Sequence, residues 1–99
     1  MKLMVVEDEK VIRNGLLKHV PWQKLGVWEV QAAENGEKAL ELAETFHPDI
    51  VLSDIRMPGM SGIELCRTLR EKYPEIETIN EQIQNIAQKK DTLCRRMYN

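Results

Sequence analysis

Three short apolar runs alternate along this chain with three longer stretches in which apolar residues recur at helical spacing. The runs are KLMVV at 2–6, VWEVQAA at 27–33 and DIVLS at 49–53. Short segments rich in valine and other β-branched residues are typical of strands buried on both faces. A stretch with helical periodicity follows each run and ends at a proline. This βαβαβα order predicts an α/β fold, with a doubly wound parallel sheet, right-handed crossovers and helices on both sides.

Length and composition limit the chain to one domain. Its 99 residues are 42% hydrophobic and 30% charged, which is typical of a soluble globular protein. No apolar run reaches the 18 or so residues that a membrane span requires, so we predict no membrane association. The N-terminal segment MKLMVVEDE lacks the long apolar region of a secretory signal, and we therefore expect a cytoplasmic location.

Charge and cysteine content exclude two further classes of protein. Fourteen Lys and Arg against sixteen Asp and Glu give no basic excess of the kind that binding to a phosphate backbone requires. We therefore expect no direct binding of nucleic acid. Cys66 and Cys94 lie far apart, with no histidines at metal-ligand spacing, so the sequence predicts neither a disulfide framework nor a zinc site.

Acidic residues follow two of the predicted strands directly. Glu7 and Asp8 come after the first strand and Asp54 after the third. Because the carboxyl ends of parallel strands share one edge of the sheet, all three side chains are expected at the same rim. Converging carboxylates repel each other unless a cation neutralises them, and an all-oxygen site with few protein ligands is typical of Mg²⁺. A carboxylate beside Mg²⁺ is also suited to attack a phosphoryl group and form an acyl phosphate.

The segments around these acids resemble the receiver domain of two-component response regulators. VVEDE at 5–9 is similar to the acid pair that ends the first strand in that family, and DIRMPGMSG at 54–62 fills every fixed position of its acceptor motif, D-x-x-M-P-x-M-x-G. The segment WQKLGVWEVQAAENGEKALEL is similar to receivers that precede AraC-type DNA-binding domains. The resemblance covers about residues 1 to 77 and implies a flavodoxin-like receiver fold.

The resemblance also implies the roles of individual residues. Asp54 would accept a phosphoryl group from a sensor histidine kinase, and Glu7, Asp8, Asp54 and the backbone carbonyl of Arg56 would bind Mg²⁺. Pro58 and Gly62 would fix the turn that presents this carbonyl. The chain would then be a signal-receiving module rather than an enzyme, with at most slow self-catalysed phosphorylation and dephosphorylation.

The alternation of short apolar runs with helical stretches stops at Pro74. TINE at 78–81 has the form of a capping box, and Ile79, Ile83, Ile86, Lys90, Leu93 and Met97 follow at alternating spacings of four and three. We therefore predict an amphipathic C-terminal helix, atypical for the family, and divide the chain into a receiver part at 1–77 and a helix at 78–99. EIETI at 75–79 also fits a short fourth strand.

Two strands expected from the family are not recognisable in the sequence. The fourth should end in Ser or Thr and the fifth in Lys, and neither role is assigned to Thr78, Lys89 or Lys90. The sheet is therefore predicted to be incomplete, with the third strand as an open edge. This edge should be covered, either by the C-terminal helix folding back on the same chain or by a second copy of the chain. We favour the second copy, in a homodimer formed through residues 79–97 or through the edge of the third strand.

Two other functions fit the same residues. One is a receiver-derived module that is not phosphorylated and acts through dimerisation or kinase binding. The other is a Mg²⁺-dependent phosphatase with an aspartyl nucleophile. Such an enzyme would place a second acid two residues after the nucleophile, where this chain has Arg56.

Overall fold

The computed structural model describes residues 1–81, which form a parallel sheet of four strands with helices on both faces. The strands are β1 (Lys2–Val6), β2 (Glu29–Ala33), β3 (Ile50–Asp54) and β4 (Glu77–Glu81). The helices are α1 (Lys10–His19), α2 (Gly36–Phe46) and α3 (Gly62–Lys72), with a short 3₁₀ helix at Trp22–Leu25. None of the helices within this described part is long and apolar enough to cross a membrane.

The strand order is β2-β1-β3-β4, and every neighbouring pair is parallel. β1 and β3 are central, and their residues from Leu3 to Val6 and from Ile50 to Asp54 are all buried. Burial on both faces explains why these strands are continuous apolar runs without alternation. The predicted α/β fold with a doubly wound parallel sheet is confirmed.

Side chains at the helix ends account for where α2 and α3 begin and end. The side chain of Asn35 accepts a hydrogen bond from the Lys38 N–H, and that of Ser61 accepts one from the Glu64 N–H. Both contacts satisfy backbone donors that a first helical turn leaves free. α2 ends at Phe46, and the next residue, His47, adopts a left-handed conformation directly before Pro48. Asn35 and Ser61 are therefore the N-cap residues of α2 and α3.

β4 corrects the prediction that the sheet ends at β3. Residues 50–54 pair in register with residues 77–81, so β3 is interior and has no free edge. The prediction of a homodimer through the third-strand edge is therefore wrong. The boundary predicted between residues 77 and 78 falls inside β4, and EIETI does contribute to a fourth strand.

The same strand corrects the start of the predicted C-terminal helix. Residues 78–81 are extended rather than a helix cap. Ile79 is buried in the core of the sheet at 3% exposure instead of beginning the apolar stripe of a helix. Positions 82–97 of the predicted helix lie outside the described residues. The same applies to Lys89, Lys90 and Cys94.

The core lies on both faces of the sheet. On the α1 face, residues of β1, β3 and β4 pack with α1 and the 3₁₀ helix, and this cluster includes Leu3, Leu16, Trp22, Leu52 and Ile79. On the opposite face, Met4, Val6, Ala43, Val51, Leu65 and Leu69 pack between the sheet and helices α2 and α3. Trp22 is buried in this core, whereas Trp28 is 71% exposed.

Candidate functional site

The carboxyl ends of β1 and β3 bring three acidic side chains together. One carboxylate oxygen from each of Glu7, Asp8 and Asp54 lies within 4.8 Å of the others. Glu7 continues the ladder between β1 and β2, since its N–H donates to the Ala33 carbonyl at 3.1 Å. Asp54 is the last residue of β3. The structure therefore places these residues at one rim of the sheet, where the sequence predicted them.

The three carboxylates differ in their exposure to solvent. Glu7 is 1% exposed and Asp54 is 7% exposed, whereas Asp8 is open to solvent. Burial is the main cause that raises the pKa of Glu7 to about 8. A hydrogen bond from the Glu9 N–H opposes this rise, and the nearby Asp54 and Asp8 add to it. The cluster thus contains a carboxyl that is costly to ionise without a nearby cation.

The donor atoms of the cluster fit a small divalent cation. All are carboxylate oxygens, and Glu7 Oε2 is buried without a hydrogen-bond partner among the described residues. A buried oxygen without a partner is unfavourable, and a metal ion would satisfy it. Mg²⁺ prefers this combination of a few carboxylates with open positions for water.

The loop after β3 is held against the rest of the protein by its two methionines. Met57 is buried in the cluster with α2 and α3, and Met60 packs against Gly36 at the start of α2. Between them, Gly59 has a positive φ of 77°, a conformation that glycine adopts without strain. The loop therefore has a defined path from Asp54 to α3.

Gly62 lets α3 begin directly beside Asp54. Its N–H donates to the Ile55 carbonyl at 3.1 Å, and a Cβ at this position would collide with the backbone carbonyl of Asp54. The final glycine of the motif is thus required by a close approach of two backbone segments. Arg56 lies in the same loop, and its N–H donates to Asp54 Oδ1 at 3.4 Å.

Arg13 is a residue of the site that the sequence analysis missed. Its guanidinium donates to the backbone carbonyl of Glu7 at 2.9 Å and more weakly to that of Asp8 at 3.4 Å. These contacts tie the acidic loop to the first turn of α1. The available signal was the position of Arg13, one helical turn after Glu9, where a long side chain reaches back towards the loop.

Thr78 does not lie beside Asp54, so it does not take the hydroxyl role that the family places at the end of the fourth strand. It pairs in register with Val51, three residues before Asp54. Its side chain lies near Cys66, a buried free thiol of α3 whose pKa is raised by burial. Thr78 therefore contributes to the contact between β4 and α3.

Comparison with known proteins gives a consistent result. Residues 3–91 match the family model described as response regulator receiver domain. The chain is 33% identical over 78 residues to the uncharacterized transcriptional regulatory protein YesN of Bacillus subtilis, which covers 79% of this chain and 21% of YesN. It is 32% identical over 80 residues to the transcriptional regulatory protein DegU of Brevibacillus brevis, covering 80% of this chain and 33% of DegU. The chain thus spans between a fifth and a third of the length of these relatives.

Solved structures show the same similarity. A two component transcriptional regulator AraC from Clostridium phytofermentans superposes with a TM-score of 0.76 at 34% identity, covering 81% of this chain and 64% of that chain. The chemotaxis protein CheY4 of Vibrio cholerae superposes with a TM-score of 0.69 at 31% identity, covering 80% of this chain and 65% of that chain.

Proposed function

The chain belongs to the response regulator receiver domain family, and on this premise we propose that Asp54 accepts a phosphoryl group from a sensor histidine kinase. The supporting observation is the convergence of Glu7, Asp8 and Asp54 within 4.8 Å at the carboxyl rim of the sheet. Asp54 ends a buried central strand, which positions its carboxylate relative to the other two acids.

The same cluster supports a Mg²⁺ site. Receiver domains bind Mg²⁺ in an acidic pocket, and here Glu7, Asp8, Asp54 and the backbone carbonyl of Arg56 would be its protein ligands. Bound Mg²⁺ would screen the negative charge that accumulates when a phosphoryl group approaches three carboxylates. Arg13 holds the loop that carries Glu7 and Asp8, so its role is to position these ligands.

The transfer itself requires one nucleophile. A carboxylate oxygen of Asp54 forms a bond to phosphorus while the phosphorus–nitrogen bond of the donor phosphohistidine breaks, and the bonding electron pair returns to the imidazole nitrogen. The product is an acyl phosphate on Asp54. With a small acyl phosphate as donor, the chain would catalyse only its own slow phosphorylation and dephosphorylation.

The printed names of several relatives suggest the context of this signal. YesN and DegU are transcriptional regulatory proteins, and both are several times longer than the matched segment. We therefore propose that this receiver delivers its signal to a regulator of transcription.

Phosphorylation with a small acyl phosphate tests the proposal. In the presence of Mg²⁺, we expect intact-mass measurement to show one added phosphoryl group on the wild-type chain and none on Asp54→Asn. The exposed acid Glu44 provides a matched control, and Glu44→Gln should be labelled as efficiently as the wild type. Beryllofluoride, a phosphoryl analogue, should bind the wild type and Glu44→Gln but not Asp54→Asn.

Two results would reject phosphoryl acceptance at Asp54. One is labelling that persists in Asp54→Asn. The other is a wild-type chain that binds Mg²⁺ but takes up neither the phosphoryl group nor beryllofluoride, as expected for a module that acts only through dimerisation or kinase binding.

A further inference from the structure

β2 is an edge strand, and within residues 1–81 it pairs with β1 alone. Soluble proteins commonly protect such edges with lysine, proline or a β-bulge, because an open edge can bind a further strand. β2 has the sequence EVQAA and pairs residue by residue with β1, so it has none of these three features. Its one charged side chain, Glu29, lies at the first position. The outer backbone of β2 is therefore suited to pairing with an extended peptide.

A cavity lies beside each half of β2. One, of about 530 Å³, is lined by Trp28 and Val30 together with Leu17 of α1 and residues of the 3₁₀ helix. The other, of about 500 Å³, is lined by Ala32 and Ala33 together with side chains of α1 and α2. We call the strand and its two cavities the β2 groove. Because α1 and α2 border the strand, one extended chain fits here more readily than a second copy with its own helices.

The side of the β2 groove towards α1 is apolar. Val30 and Ala32 point to this side, since they pack against the core cluster on the α1 face of the sheet. Trp28 is in phase with them, because alternate residues of an extended chain share a face. It is 71% exposed, and Leu17 in the same cavity is 38% exposed. Exposed aromatic and aliphatic side chains around one cavity indicate a surface for apolar side chains of a partner.

The side of the β2 groove towards α2 carries a net negative charge. Glu29 points to this side by the same alternation, and Glu34 and Glu41 line the second cavity. Lys38 lines that cavity too, but it pairs with Glu34 at 3.0 Å and so neutralises one of the three carboxylates. Arg13 is turned towards the acidic loop after β1, where its guanidinium donates to two backbone carbonyls. Basic side chains of a partner would therefore be attracted to this side.

We propose that the β2 groove binds an extended segment of a partner protein in which apolar residues alternate with lysine or arginine. Main-chain hydrogen bonds to β2 give this added strand its affinity, and its alternate side chains give selectivity. The apolar side chains of the segment contact Trp28 and Leu17, and its basic side chains contact Glu29 and Glu41. β2 supplies none of the three carboxylates of the acidic cluster, so the two surfaces are separate.

Titration of the full chain with synthetic peptides tests this proposal. The probe is KVKVKVK with blocked termini, and its control KKVVKKV has the same composition and charge without alternation. We expect the probe to shift the tryptophan emission to shorter wavelength, because Trp28 becomes covered whereas Trp22 is already buried. The amide signals of residues 29–33 should shift more than those of residues 77–81. Equal binding of both peptides, no binding of the probe, or larger shifts at 77–81 would overturn the proposal.

N-methylated versions of the probe test the backbone pairing itself. Successive residues of an added strand direct their N–H groups alternately towards β2 and towards solvent. One version is methylated at the valines and the other at the interior lysines, and both keep every charge. We expect one of the two to bind as the probe does and the other to bind ~10-fold more weakly or not at all. Equal binding of the two versions would overturn strand addition.

Paired substitutions in the protein locate the contacts. Glu41→Lys reverses a charge in the β2 groove, and Glu44→Lys makes the same change elsewhere on the exposed side of α2. Trp28→Ala removes an exposed apolar side chain from the groove, and Ile63→Ala removes one from the start of α3. We expect Glu41→Lys and Trp28→Ala each to weaken binding of the probe by ~10-fold and their controls to leave it unchanged. Equal effects of a substitution and its control would contradict the proposal.

Sedimentation distinguishes a partner segment from a second copy of the chain in the β2 groove. We expect any self-association of the chain to be unchanged by Trp28→Ala and by the probe. A dimer that both of them dissociate would show that β2 pairs with another copy, and would overturn the proposal. Asp54→Asn should bind the probe as the wild type does, so a failure here leaves phosphoryl acceptance at Asp54 intact.

Discussion

Glu7 combines deep burial with close acidic neighbours, and this gives the protein a specific pH dependence. Its pKa is raised from 4.5 to about 8, so between these values the folded protein binds a proton that the unfolded chain releases. The free energy of unfolding is therefore expected to fall as pH rises through this range, by up to ~1.4 kcal/mol per pH unit. Below pH 4.5 the contribution of Glu7 to stability is fully retained.

The prediction concerns the metal-free protein, since a bound cation would favour the ionised carboxyl. Urea unfolding from pH 5 to pH 8 should show this decline for the wild type and a flatter profile for Glu7→Gln. Glu9→Gln, a change of an exposed neighbour, should retain the decline. A wild-type stability that rises over the same range would contradict the assigned state of Glu7.

Gly62 and Gly15 should respond oppositely to alanine. At Gly62 an added Cβ collides with the Asp54 backbone, and the side chain of Asn80 is also in contact range. At Gly15, inside α1, the nearest atom lies 3.9 Å from the added Cβ. We expect Gly15→Ala to raise the free energy of unfolding by ~0.5–1 kcal/mol. Gly62→Ala should lower it by more than ~2 kcal/mol. Denaturant unfolding measures both, and a neutral Gly62→Ala would contradict the close approach described here.

The sequence predicted where the three acidic residues lie, but not how deeply each one is buried. Glu7, Asp8 and Asp54 each follow a short apolar strand, and parallel strands end at one rim, so their convergence follows from the sequence pattern. How deeply Glu7 lies depends on the packing of the loop that follows β1, including the contacts of Arg13, and no local pattern encodes it.

At the scale of secondary structure, β4 was the main difference between prediction and structure. TINE at 78–81 fits a capping box, and Ile79 is spaced from Ile83 as in a helix, so local signals favoured a helix start. Thr78 and Asn80 alternate with the buried Ile79 and lie near Cys66 of α3. A strand with one polar and one apolar side is less evident in sequence than the continuous apolar runs of β1 and β3. Pairing with β3 determines its structure.

Replacement of Ile79 tests the assignment of β4. Because the side chain is buried in the core, Ile79→Ala should lower the free energy of unfolding by ~2–5 kcal/mol. Ile63, which is 54% exposed at the start of α3, provides the control, and Ile63→Ala should change stability by less than ~1 kcal/mol. Denaturant unfolding of both variants gives the comparison. Equal small losses would indicate that Ile79 lies on a surface.

At the scale of the whole molecule, the acidic site exists only in the folded protein. Glu7 and Asp54 are 47 positions apart in sequence and meet because β1 and β3 are adjacent in the sheet. A ligand that binds only the folded state stabilises it by ~2.7 kcal/mol at a concentration of 100 times its Kd. We therefore expect Mg²⁺ to raise the midpoint of thermal unfolding of the wild type. The midpoint of Asp54→Asn should not respond in this way.

A calorimetric titration with Mg²⁺ tests most directly whether Glu7, Asp8 and Asp54 hold one divalent ion. We predict a single site in the wild type, retained in Glu9→Gln and lost or strongly weakened in both Asp8→Asn and Asp54→Asn. Binding of Mg²⁺ that is unaffected by Asp8→Asn and Asp54→Asn, or no binding by the wild type, would contradict this account.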